Sequence, residues 1–291
     1  MKAAAKGFVA RLNAGQSADE ALRHVIGHGV EVLLANAQGL ADHEDPEFVH
    51  QARVALRRMR STVRLWRKHR PFPRALGAEL QWIGRELGAA RDADVFVTET
   101  LPHLGDGLAP ALDTAMQALT DGAQAQRDRA RCSARAALAS GRFARLALEL
   151  LAWAHDAPDA KQAPLRKLAP RQLSRAHARL ADASRFFAAL APERRHRVRI
   201  LAKRLRYALD LFAVALPAQA TAAYVERLSH LQDLLGELND AAVARATIAA
   251  LGAAPGLQSA IGVKLAAREA GRLHDAEEAL AALFALRPPW R

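Results

Sequence analysis

DPEFVHQARVALRRMR (Asp45–Arg60) and APERRHRVRILAKRLR (Ala191–Arg206) are the stretches on which the fold of this chain turns. Set 146 residues apart, Asp45 against Ala191, they share Pro, Glu, His and three Arg. Val54/Ile200, Arg57/Lys203 and Met59/Leu205 are close replacements. In the first copy Asp45-Pro46-Glu47 is a helix start, a capping acid followed by proline at the first helical position. Winding the residues at about 100° each from His50 puts Arg53, Arg57, Arg60 and Arg64 on one stripe. Ala52, Ala55, Leu56, Met59, Val63 and Trp66 fall opposite. The second copy repeats this, with His196, Arg199, Lys203 and Arg206 on one side. Val198, Leu201, Ala202, Leu205, Leu209 and Phe212 lie on the other. Arg58 and Arg204 project beside their stripes. Each stretch is an amphipathic helix that buries one face and presents a cation ladder at about 5 Å spacing. Like charges one turn apart cost a few tenths of a kcal/mol per pair. Finding that cost twice, in register, points to function.

A second pair of blocks follows in the same order. LQWIGRELGAARDADV (Leu80–Val95) matches LSHLQDLLGELNDAAV (Leu228–Val243) at an offset of 148, Leu80 against Leu228. Leu87/Leu235, Gly88/Gly236, Asp92/Asp240 and Val95/Val243 anchor it, and Asn239 stands where the first copy has Arg91. The two-residue change in offset places a length difference in the intervening turn. The ordered blocks argue for duplication: repeat one at about 18–155, repeat two at about 170–285, each a helical bundle. The join is expected in the proline-bearing stretch Asp156–Pro170.

Prolines punctuate the rest of the chain between alanine- and leucine-rich runs, as they do between helices. The pattern predicts helices at about 18–40, 46–69, 73–88, 91–101, 108–139, 141–155, 170–189, 192–215, 217–235, 238–252 and 256–285. No alternating strand pattern competes, so the class is all-α.

The 291 residues carry a formal charge of +12, and 51% of them are hydrophobic, too many for a disordered basic tail. The charge is segregated. His50–Arg70 holds eight Arg or Lys and no acid, and Arg194–Arg206 holds seven and none. The remainder is therefore slightly acidic, and the two windows suggest an anionic partner. No apolar run reaches the roughly 18 to 20 residues of a membrane span. The opening MKAAAKGFVARLNAG has no signal-peptide core. A single cysteine, Cys132, rules out an internal disulfide or a cysteine-rich zinc site. A cytoplasmic protein is expected.

These motifs resemble the CHAD family, the conserved-histidine α-helical domain. The resemblance rests on DPEFVHQARVALRRMR, on LGAARDADV, and on RRHRVRILAKRLRYALDLF followed by LQDLLGELND. It covers the chain from about residue 18 onward and implies a single CHAD-type domain over residues 1–291. It further implies two four-helix bundles related by pseudo-twofold symmetry with a basic surface or pore between them. It also implies binding of inorganic polyphosphate, with location at polyphosphate or polyhydroxyalkanoate granules and contact with granule surface proteins. Many members are fused to a triphosphate-hydrolysing CYTH domain. No ExExK motif precedes the first helix here, so that catalytic partner is not expected.

Polyphosphate carries about one negative charge per phosphate and offers neither bases nor apolar surface. Its partner needs dense, geometrically fixed cations, and arginine supplies planar bidentate donors that stay charged. The expected contacts are His50, Arg53, Arg57, Arg60 and Arg64 with His196, Arg199, Lys203 and Arg206, then Arg58 and Arg204. Four-residue spacing adds Arg131 and Arg135, which follow Arg127, and Lys264 and Arg268, which precede Arg272. The two histidines either donate to phosphate or hydrogen-bond Asp92 and Asp240 to fix the bundle. Nucleic acid is the weaker alternative partner, because single-strand binders add exposed aromatics and Trp66 and Phe212 fall on the apolar faces. An enzyme using the histidines is a further alternative. No glycine-rich phosphate loop, Walker lysine or HExxH supports it, and neither catalysis nor a cofactor is expected. His24 and His28 have a zinc-compatible spacing but no third ligand, so no metal is expected either.

Overall fold

The computed structural model describes residues 4–5, 12–67, 71–156 and 163–291. Among these the secondary structure is helical, and strand pairing is limited to an isolated bridge between Ser17 and Pro164. The all-α class read from the sequence is what the chain adopts. It forms two compact units, Met1–His103 with Thr120–Pro164, and Leu104–Leu119 with Leu165–Arg291. Leu104–Leu119, which lies within the expected first repeat, groups with the second unit.

The first unit begins with α1 (Ala18–Asp42), set by a capping box in which Ser17 Oγ accepts from Glu20 N and Glu20 Oε2 accepts from Ser17 N. In α2 (Pro46–Trp66) the Asp45 carboxylate accepts from Glu47 N at 2.8 Å, as the Asp-Pro-Glu start predicts. Next comes α3 (Arg74–Val95), which runs through a π turn at Phe96–Thr100 into a short α4 (Leu101–Gly105). From Thr120 the first unit continues with the rest of α5 (Asp113–Ala139) and with α6 (Gly141–His155). α1 packs on α2 and α6, and α3 packs on α2 and α6, which closes a four-helix ring. Ala52, Ala55, Leu56, Met59 and Trp66 are buried, so the apolar face read from the sequence is the one that enters the core. α1 and α2 approach closely at Gly39, where a Cβ would lie 2.1 Å from the Phe48 ring.

The second unit contains α7 (Leu165–Ala183), α8 (Pro192–Phe212), α9 (Ala218–Ala250) and α10 (Pro255–Ala285). α8 lies between α7 and α9, and α10 packs on α9. Aromatic groups join the far sides. His177 on α7 meets Phe284 on α10 at 5.2 Å, while Trp290 packs edge-on to Tyr224 at 5.1 Å and donates to Ser174 Oγ. The Arg-Pro-Pro-Trp-Arg end thus closes this bundle.

Several helix boundaries differ from the sequence reading. α3 does not stop at Gly88 and α9 does not stop at Gly236. Each would-be break sits among buried residues, Leu87 and Ala90 in one and Leu235 and Leu238 in the other. Burial of that face outweighs a glycine cost of about 1 kcal/mol. α7 begins five residues before Pro170 and carries that proline inside, anchored by fully buried Leu165 and Ala169. α5 begins at Asp113, after a 3₁₀ turn at Pro110–Leu112. The last residues of the predicted 46–69 helix, the Arg70 end of the basic window and residues 157–162 of the predicted join lie outside the described residues.

Candidate anion-binding site

The cation stripe of α2 faces α3 at two glycines four residues apart. A Cβ at Gly84 would lie 3.0 Å from Arg60 Nη1, and one at Gly88 would lie 2.7 Å from Arg53 Nη1. Glycine at these positions lets two guanidinium groups rest against the α3 backbone, where any side chain would push them aside. The result is a cleft of about 230 Å³ lined by Arg53, Leu56, Arg57, Arg60, Ser61, Arg64 and Gly84.

Burial and neighbouring cations act on the charges around it. Arg60 is pushed below its ordinary pKa first by burial and then by the fields of Arg64 and Arg85. Arg53 is lowered by burial most of all, with Asp92 pulling the other way from 3.4 Å. His50 is lowered by burial and next by Arg91, with smaller effects from Arg57 and Arg53 and an opposing one from Glu47. Its imidazole is thereby held neutral near pH 7. Arg91 itself donates to Glu99 at 3.1 Å. Arg57 and Arg58 make interactions of their own within the protein.

The matching stretch of α8 is arranged differently. His196 Nδ1 lies 2.7 Å from Asn239 Oδ1, and because an amide oxygen only accepts, Nδ1 carries the hydrogen. Arg199 approaches Asp240 at 4.0 Å. Arg206 donates through Nε to Asp210 at 3.0 Å and through Nη1 to Ser229 Oγ. Lys203 is half-buried, Arg204 is exposed, and both are engaged elsewhere in the protein. The expectation that the histidines bond Asp92 and Asp240 needs revision: those acids sit beside Arg53 and Arg199 instead.

Three further expected contacts are corrected. Arg131 is 2% exposed and donates to the fully buried Asp94 and to the Glu44 carbonyl, so no polymer reaches it. Arg135 donates to Leu40 O, His43 O and the Glu44 carboxylate, which ties α5 to the α1–α2 turn. Lys264 donates to the carbonyls of Leu104 and Asp106. Buried carboxylates and orphan helix-end carbonyls require donors, and these side chains supply them. Arg268 is exposed on α10, outside the cleft.

The sequence reading missed Gly84, Ser61 and Arg85. A Gly-x-x-x-Gly spacing on α3 was the available signal, since glycines one turn apart mark one helical face where another group comes close. Among the described residues no cluster of metal-ligating side chains is present, and no helix is long and apolar enough to cross a membrane.

The CHAD domain family model matches residues 24–249. The crystal structure of the CHAD domain from the plant Ricinus communis is similar over 98% of both chains, at 32% identity and a TM-score of 0.85. PptA from Streptomyces chartreusis shares the fold at 22% identity and a TM-score of 0.70, over 92% of this chain and 99% of that one. No curated protein matches the chain. With the family model spanning most of the sequence and the Ricinus domain alike from end to end, the chain belongs to the CHAD domain family.

Proposed function

We propose that the chain binds inorganic polyphosphate without turning it over, and that this binding brings it to polyphosphate-bearing granules. The observation that carries the reading is the α2–α3 cleft, in which Arg53, Arg57, Arg60 and Arg64 line a single hollow. The helix spaces these cations at one-turn intervals, and the α3 glycines seat two of them, so little side-chain entropy remains to be lost on binding. Arginine does not give up its proton, so the cleft walls offer charge and hydrogen bonds but no general base. Membership of the CHAD family supports the same ligand. Single-stranded nucleic acid fits less well. Of the aromatic residues on the two basic helices, Phe48, Trp66 and Phe212 are buried and unavailable to stack on bases, and Tyr207 is half-buried.

The test is a competition titration. Labelled long-chain polyphosphate is displaced by unlabelled polyphosphate or by single-stranded DNA at two salt concentrations, with orthophosphate release followed alongside. The reading expects preference for polyphosphate, an affinity that falls steeply with salt, and no release. Equal or better displacement by DNA overturns it.

Binding is also expected to tighten as the pH falls. In the free protein His50 titrates below its ordinary value because of burial and the surrounding Arg91, Arg57 and Arg53. A bound polyanion cancels that positive field and favours the imidazolium, so the bound-state pKa lies above the free-state one and protons are taken up on binding. Affinity therefore rises as pH drops through the bound-state pKa and levels off below the free-state pKa. Titrations between about pH 7.5 and 5.5 should show this slope, and His50→Gln should flatten it.

A further inference from the structure

The matched helix pairs place their charges at different positions. At offset 146 Arg64 corresponds to Asp210, and at offset 148 Arg85 corresponds to Asp233 and Arg91 to Asn239. The six cations Arg53, Arg57, Arg60, Arg64, Arg85 and Arg91, attended by Asp92 and Glu99, become three, Arg199, Lys203 and Arg206, attended by three acids, Asp210, Asp233 and Asp240. At these positions an excess of four positive charges has become none, although the full matched stretches, 45–64 with 80–95 and 191–210 with 228–243, carry the same net charge.

Geometry agrees at the position that decides it. Arg60 rests in the Gly84 notch, and the strongest fields acting on it are those of other arginines. Its counterpart Arg206 already donates to a carboxylate, Asp210, and to a hydroxyl, Ser229. At offset 148 Gln232 corresponds to Gly84, so the second pair carries a side chain at the position that is bare in the first. A carboxylate held on guanidinium Nε satisfies the donor that a phosphate oxygen would use.

We propose that Asp210 is a built-in occupant of the second helix pair's anion seat, so that the chain presents one primary oligophosphate seat, on α2–α3, rather than two equivalent ones. This rests on the polyphosphate reading above. The second pair binds phosphate weakly because any incoming anion must displace Asp210 and face Asp233 and Asp240.

The test exchanges the diverged charge between the copies in the full chain. Tripolyphosphate is titrated calorimetrically at low salt into the wild type, Arg64→Asp and Asp210→Arg, with thermal unfolding confirming that each is folded. The wild type should bind one equivalent. Arg64→Asp should weaken that binding at least tenfold, and Asp210→Arg should yield a second equivalent. Arginine-selective labelling by phenylglyoxal under saturating long-chain polyphosphate gives an independent readout, with Arg60 and Arg64 protected and Arg206 not. Two equal sites in the wild type, or protection of Arg206 equal to that of Arg60, overturns the asymmetry and leaves the polyphosphate reading standing. Failure of long-chain polyphosphate to bind the wild type overturns that reading, and the asymmetry with it.

Discussion

An Arg60→Glu, Arg64→Glu double variant is expected to lose polyphosphate affinity by roughly a hundredfold or more at low salt while unfolding at the wild-type temperature. Both side chains line the α2–α3 cleft, and Arg60 is held there by the Gly84 notch. Each charge-assisted hydrogen bond to phosphate contributes about 1.5–3 kcal/mol, so losing two removes about 3–6 kcal/mol before the added repulsion counts. Folding should be nearly indifferent. Arg64 is exposed, and Arg60 and Arg64 lie one turn apart on α2 with fields that oppose each other's charge. Fluorescence titration with labelled polyphosphate measures the first effect, and a calorimetric unfolding scan measures the second. Wild-type affinity in the folded double variant would move the site away from this cleft.

Asp94→Ala should have the largest effect on stability. Asp94 is fully buried where α3 meets α5, 2.7 Å from Arg127 Nε and 3.2 Å from Arg131 Nη1. Removing one member of a buried ion pair leaves the other charge unpaired in a poorly solvating interior, at a cost of about 3–5 kcal/mol. For units of this size the midpoint should drop by roughly 10 °C, read from thermal unfolding followed by circular dichroism. Replacing Arg268, which is exposed on α10, should shift the midpoint little. A drop for Asp94→Ala no larger than for Arg268→Ala would mean that the pair with Arg131 is not what holds α5 in place. These two experiments separate cations that serve the fold from cations left over for a ligand, a division that arginine content does not reveal.

Most of the fold was legible in the sequence because helical amphipathicity is local. The alternation of Arg53, Arg57, Arg60 and Arg64 with Ala52, Leu56, Met59 and Trp66 specifies which face of α2 is buried, whatever partner covers it. The same holds for α8 from Val198 to Phe212, and Asp45-Pro46 sets the start of α2 through bonds that span only a few residues. Composition and the matched blocks pointed to the all-α class and to the two basic helices. Helix ends were less legible where a breaker sits in a buried surface. Gly88, Gly236 and Pro170 all signal interruption locally, and packing against neighbouring helices overrides each.

What only the tertiary structure decided is which cations remain available. Arg131 and Arg135 have the same four-residue spacing as the cleft arginines, but their partners lie far along the chain. Asp94 is 37 residues from Arg131, and Glu44 is 91 residues from Arg135. Spacing along one helix determines where a charge points; the helix packed against it determines whether that charge is already neutralised. The glycine notch on α3 is of the same kind, since Gly84 and Gly88 acquire meaning only once α2 lies across them. Coulomb attraction and steric exclusion act through space, so the cation ladder could be read from the sequence, and the site it forms could not.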